Sequence, residues 1–240
     1  MFYLTYAAYE LKKWTRDSLT AFMLIYPLMF GAIGRYLVPV AEEQLGFGLG
    51  PYYHVILAVI ALATAKVTGT LAAFSILDDR DDRVFYAVNV APLSLFAFIS
   101  VKLLLVYVFS AAGTAFVIWF SNLASLPVAV ILPVSMIAAL AAPLFALLIN
   151  CLASNKVEGF AALKSLNALI VFPVVSLFFQ DAREFIYAFE PGFWPAKALS
   201  LAVIGKDVYQ LSYSAYLSIG LMYAVALNLL AYRLFKKKVG

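Results

Sequence analysis

Six long stretches of this sequence carry almost no charge, and each is close to the ~20 residues a helix needs to cross a bilayer. They run roughly over Ser18–Val38, Tyr53–Leu77, Pro92–Trp119, Pro127–Leu152, Phe160–Phe179 and Leu211–Leu234. Composition agrees: of 240 residues, 65% are hydrophobic and 12% charged, whereas a soluble domain is about half apolar and a quarter charged. The reading is all-α: a single polytopic membrane domain of six transmembrane helices over residues 1–240. The N-terminus is followed by a run too long for a cleaved leader.

The breaks between spans set the topology. Glu42, Glu43 and the Gly46–Pro51 stretch make the first loop, Ser121-Asn122 the third and Ser154–Gly159 the fourth. Residues 180–210 form the longest polar interlude, an extracytoplasmic loop with room for a re-entrant or interfacial helix over Trp194–Gly205. With the N-terminus inside, the cytoplasmic segments hold eleven basic residues, among them Lys12, Lys13, Arg16, Arg80, Arg83, Lys156 and Lys236–Lys238. The outer segments hold four: Arg35, Arg183, Lys197 and Lys206. That asymmetry predicts a plasma-membrane protein with both termini in the cytoplasm. The net charge of +4 is therefore a topology signal and calls for no nucleic acid.

Ahead of the first span, residues 1–17 read as an amphipathic helix. At ~100° per residue, Leu4, Ala7, Ala8, Leu11 and Trp14 share one face, and Glu10, Lys12, Lys13, Arg16 and Asp17 the other. Such a helix lies along the interface with its basic side toward anionic lipid headgroups.

Few places are left for enzyme chemistry. No Gly-x-x-x-x-Gly-Lys-Ser/Thr phosphate loop is present, and no His-Glu-x-x-His, Gly-x-Ser-x-Gly or Cys-x-x-Cys. One histidine (His54) and one cysteine (Cys151) preclude a multi-histidine site and an internal disulfide. The chemistry-bearing feature is the charged knot Leu77–Arg83 between the second and third apolar runs: Asp78, Asp79, Arg80, Asp81, Asp82 and Arg83. Six consecutive ionisable side chains are expected to face water. Three readings stand. The aspartates hold Mg²⁺ against a diphosphate, as in membrane prenyltransferases; or they are a hydrated loop that fixes topology; or Asp78–Asn89 is a short helix that docks on a soluble partner.

The knot, taken with its surroundings, resembles the ABC-2 type transporter permeases. Asp79-Arg80-Asp81 matches that family's acidic-Arg-acidic segment, with aspartate where glutamate is usual, and Ala91-Pro92-Leu93-Ser94 matches the step into the third span. Asn155-Lys156-Val157-Glu158-Gly159 and Pro191–Lys197 resemble the fluoroquinolone-exporter-like branch. The resemblance implies a permease that pairs with an identical or paralogous permease over two separate ATPase subunits. ATP and Mg²⁺ would sit on those partners, this chain would carry no cofactor, and residues 78–90 would form the coupling element. The cargo would be amphipathic: a drug, a peptide or a lipid. A non-transporting scaffold or immunity-type protein is the remaining alternative.

Within the spans, Lys66 stands near the middle of the second, where a charge must face water, a partner or the bundle interior. It reads equally as a lining residue of a substrate path, with Tyr26, Pro27 and Asn167, or as half of a structural pair. Lys102 is close enough to the cytoplasmic end to snorkel, as Arg35 does at the outer end. Pro27 and Pro173 sit inside spans one and five, where they bend helices. Phe193-Trp194 reads as an aromatic interface anchor.

Overall fold

The computed structural model describes residues 2–46, 48–90, 94–205 and 208–239, and its ordered elements are helical throughout. Helix α1 (Phe2–Arg16) precedes α2 (Ser18–Ala32), which runs through a π-helical turn at Ile33–Leu37 into α3 (Val38–Leu45). Next come α4 (Tyr53–Asp81), the short α5 (Val84–Val90) and α6 (Leu95–Phe120). Then follow α7 (Val128–Ala139), α8 (Ala141–Leu152), α9 (Lys156–Ala168), α10 (Val171–Ser176), α11 (Phe193–Ile204) and α12 (Tyr213–Val239). Among the described residues, six helical segments are long and apolar enough to cross a membrane: Ser18–Leu45, Gly50–Asp81, Leu95–Phe120, Val128–Leu152, Lys156–Ser176 and Tyr213–Lys238.

Local chemistry accounts for the starts and breaks. Asp17 caps α2 by accepting from Thr20 N at 2.9 Å, and Ser94 caps α6 by accepting from Ala97 N at 3.2 Å. Asn155 caps α9 by accepting from Glu158 N at 3.0 Å, while Glu158 Oε2 accepts from Ser154 N at 2.7 Å. The Asn155–Gly159 motif is thus a reciprocal cap. It ends in a glycine because a Cβ there would meet Leu77 Cδ1 at 2.7 Å. Pro143 and Pro173 cannot donate to the carbonyls four residues earlier, and the helices break just there, at Leu140 and at Leu169–Ile170. Asn228 of α12 donates to Leu140 O at 3.0 Å, which ties α12 to the first break.

α4 is the most enclosed span. It packs on α8, α6, α2 and α11, so every other layer of the bundle is built around it. Its closest neighbour is α8: a Cβ on Gly69 would stand 2.5 Å from Ala142 O, a backbone approach only glycine permits. The knot is not a loop. Asp78–Asp81 complete the last turn of α4, Arg83 turns the chain with φ 57°, and α5 follows. α5 lays Phe85 and Val88 into an apolar cluster with Ile76, Phe98, Leu147 and Phe235. Of the resemblance motif at 91–94, Ala91, Pro92 and Leu93 lie outside the described residues.

Within the 180–210 interlude, α11 stands where the sequence left room for a re-entrant or interfacial helix, and its residues from Phe193 to Leu201 are buried. α11 has 12 residues, about 18 Å of helix and too short to span. It packs among α4, α7, α10 and α12. Phe193 is fully buried and Trp194 nearly so, against Tyr216 and Tyr223, so this pair anchors the core and not the interface.

Candidate functional site

Among the described residues, three sets of buried charges organise the bundle, and none of the three pairings is visible in the sequence.

The first lies under α1. Lys102 Nζ donates to Glu10 Oε1 at 2.7 Å and to Ser75 Oγ at 2.9 Å, and stands 2.5 Å from Asp79 Oδ2. Lys13 Nζ donates to the other Asp79 oxygen at 2.5 Å. Trp14 Nε1 donates to Glu10 Oε1 at 3.0 Å, and so does Ser75 Oγ at 2.6 Å. Two carboxylates and two ammoniums neutralise one another, which is the condition for holding charges out of water. Burial pushes the Lys13 ammonium down, but Asp79 beside it more than offsets this and its pKa stands above the ordinary lysine value. Tyr6 is raised, by burial first and by Glu10 second.

This cluster corrects three expectations. Lys102 does not snorkel; it is fully buried and paired. Asp79 does not face water, because two lysines neutralise it. Glu10 and Lys13 do not face headgroups: α1 turns Tyr6, Glu10, Lys13 and Trp14 toward the bundle, and leaves Leu11, Lys12 and Arg16 outside. Helical projection shows which residues share a face, but it cannot show that a face is met by an opposite charge on a distant span.

The rest of the knot divides in two. Asp78 pairs with Lys156 at 2.6 Å, and Arg80 donates to Ala153 O at 3.1 Å, which ties α4 to the start of α9. Asp81, Asp82 and Arg83 are exposed, as is Tyr86 on α5. The exposed handle is therefore half as long as the sequence suggests. Lys238 donates to Cys151 O and Ala153 O, each at 3.0 Å, so the α12 end, α1, the α4–α5 turn and the α8–α9 turn share one side of the bundle. With Asp78 and Asp79 each held by lysine, the knot does not converge on a metal ion. Among the described residues no three His, Cys, Asp or Glu side chains stand close enough to hold one.

The second set lies toward the opposite side. Lys197 Nζ donates to Glu184 Oε2 at 2.7 Å and to Phe179 O at 2.8 Å, and Tyr216 donates to Glu184 Oε1. Both charged side chains are fully buried. Lys197 Nζ also stands 3.6 Å from the centre of the Tyr209 ring. Burial pulls the Lys197 ammonium down to about 8.

The third set is Lys66 with Glu190, Nζ to Oε1 2.9 Å, each side chain 3% exposed. Glu190 Oε2 accepts from Gly192 N at 2.5 Å. The other substrate-path candidates do not join it. Pro27 packs on Gly113 of α6 beside Thr64, while Lys66 faces Phe145 of α8 from the other side of α4. Tyr26 packs between Phe22 and Phe30. Asn167 is half-buried on α9.

Known proteins share this sequence pattern. The family described as fluoroquinolones export permease protein Rv2686c-like matches residues 10–232. Two relatives, fluoroquinolones export permease proteins MT2760 and Rv2686c, come from Mycobacterium tuberculosis strains CDC 1551 / Oshkosh and ATCC 25618 / H37Rv. Each is 30% identical over 213 residues, which is 82% of this chain and 84% of the relative. No solved structure matches the chain.

Proposed function

The chain belongs to the Rv2686c-like family of fluoroquinolone export permeases, and from that premise we propose that it is the transmembrane subunit of an ATP-driven exporter whose ATPase is a separate chain. One observation carries the coupling part of this reading. The turn Asp81-Asp82-Arg83 and Tyr86 are exposed, while the residues on either side are locked into the bundle. Asp79 is bound to α1 and α6, Arg80 to the α8–α9 turn, and Phe85 and Val88 to the core. A push on the turn therefore reaches α1, α4, α6 and α9 together, as required of an element that converts closure of an ATPase into movement of spans.

The handle lies on the side that gathers Lys12, Arg16, Arg83 and Lys236–Lys238, so it faces the cytoplasm, with both termini, where ATP is available. A second permease copy completes the pathway. The cargo is an amphipathic compound, since the walls of the bundle are apolar and aromatic. Fluoroquinolones are the first candidates, because the relatives are named for exporting them.

The test is co-expression with the ATPase of its transport system, purification through a tag on this chain, and drug uptake by inside-out vesicles. Copurification and ATP-dependent uptake are expected. Asp81→Lys with Asp82→Lys lowers uptake and substrate-stimulated ATP hydrolysis at least tenfold while leaving the unfolding temperature within a degree or two, because neither side chain is buried. A permease that brings down no ATPase and gives no ATP-dependent uptake defeats the proposal.

A further inference from the structure

The bundle opens sideways between α9 and α12. α9 packs on α4 and α8, α12 packs on α7, α8 and α11, and a cleft of about 210 Å³ lies between them. Its walls are apolar: Phe145 and Leu148 of α8, Leu166 of α9 and Leu230 of α12. Leu230 is half exposed at the edge that lipid would cover. Glu190 also lines it, with its side chain buried.

Glu190 brings Lys66 with it. The ammonium is buried and 2.9 Å from the carboxylate, yet it makes no aligned hydrogen bond. It stands 5.0 Å from the centre of the Phe145 ring that lines the cleft. An ammonium has three N–H donors, and the ion pair with Glu190 can engage only part of that capacity, with no further hydrogen-bond partner among the described residues. The carboxylate is fixed by Gly192 N. Charges of both signs, side by side at an apolar cleft, suit a ligand that also carries both. Its carboxylate takes the Lys66 donors and its ammonium takes Glu190, so no charge is left unpaired at any stage. A ligand with one charge must leave either Lys66 or Glu190 without a partner, which is heavily penalised away from water.

We propose that this cleft is the binding site for amphipathic zwitterions, with the apolar body of the ligand against α8 and α12 and its two charges exchanged onto Lys66 and Glu190. That the ligand is cargo rests on the exporter reading above; that it binds does not.

Norfloxacin, a fluorescent quinolone with a carboxylate and a basic piperazine, is the probe. Its decarboxylated and N-acetylated derivatives each keep one charge. Binding is read by fluorescence anisotropy on the purified full chain in lipid nanodiscs, with no ATPase present. Saturable binding of norfloxacin is expected, at least tenfold tighter than either derivative. Leu148→Trp fills the cleft without touching the ion pair, and it weakens binding at least tenfold with the unfolding temperature unchanged. Glu190→Gln removes the preference for the free amine. Equal binding of the three compounds overturns the site, as does unaltered binding in Leu148→Trp or the absence of saturable binding. If Leu148→Trp instead separates a permease dimer and leaves binding intact, the cleft is a subunit contact and the proposal falls. ATP-driven transport can survive each of these failures, and binding can survive in a chain that captures no ATPase.

Discussion

Replacing Lys102 by methionine tests the electrostatics under α1 with little change of volume. In the wild type, Lys102 Nζ holds Glu10 at 2.7 Å, Asp79 at 2.5 Å and the Ser75 hydroxyl at 2.9 Å, all out of contact with water. The variant leaves two buried carboxylates with one ammonium. Asp79 keeps Lys13, so the orphaned charge falls on Glu10, 2% exposed and left with Ser75 and Trp14 as neutral donors. Breaking a buried pair from one side costs about 3–5 kcal/mol. The two remaining donors place Lys102→Met toward about 3 kcal/mol, roughly two orders of magnitude in the folding equilibrium. Adding Glu10→Gln removes the orphan charge and keeps a hydrogen-bonding side chain, so the double variant returns to within about 1 kcal/mol of the wild type. Unfolding in mixed detergent–SDS micelles, followed by tryptophan fluorescence with buried Trp14 among the reporters, measures all four proteins of the cycle. A loss below about 1 kcal/mol in Lys102→Met, or a double variant weaker than that single one, would refute the reasoning.

Three further outcomes follow from the same geometry. Gly69→Ala brings a Cβ to 2.5 Å from Ala142 O, and it lowers stability by about 1–3 kcal/mol in the same assay, with Gly69→Leu abolishing recovery of folded protein. Lys197 has a pKa of about 8 folded against an ordinary 10.5, so between those values the unfolded chain holds a proton that the folded one has shed. Its contribution is full above 10.5 and lost as pH falls through 8; stability therefore rises by on the order of 1–2 kcal/mol between pH 8 and 9.5, and Lys197→Met flattens that slope in pH-dependent thermal unfolding. In a Cys151→Ala background, a cysteine at Ser154 reacts with a membrane-impermeant maleimide only from the cytoplasmic face and one at Gly48 only from outside; the reverse pattern inverts the topology.

The six spans were legible because an apolar run of twenty residues is a local property, and the bilayer imposes its length on each run separately. The caps at Asp17, Ser94 and Asn155 were also written locally. What escaped was the pairing. Glu10 on a helical wheel is a polar residue among polar residues, and only the fold brings Lys102 to it. Glu184 and Lys197 are counted singly in a sequence, whereas the fold buries them together as an ion pair. The knot misled for the same reason: six charges in a row read as solvated, yet Asp79 looks inward. For Lys66, the sequence offered a lining residue or half of a pair, and the structure supplies a partner for the pair. That partner, Glu190, lies more than a hundred residues further along the chain, beyond any local reading.

The pairing of Lys66 also has a bearing on biosynthesis. The cluster under α1 is complete once α6 has left the ribosome, since Glu10, Asp79 and Lys102 are then all in the membrane. Lys66 enters with the second span but must wait through three more spans until Glu190 emerges. Over that interval it is a lone ammonium near mid-bilayer, at about 2.5–3.5 kcal/mol on the insertion scale. The half-made chain is thus held in the lipid by the apolar residues around Lys66 and remains a natural target for membrane quality control until α11 arrives.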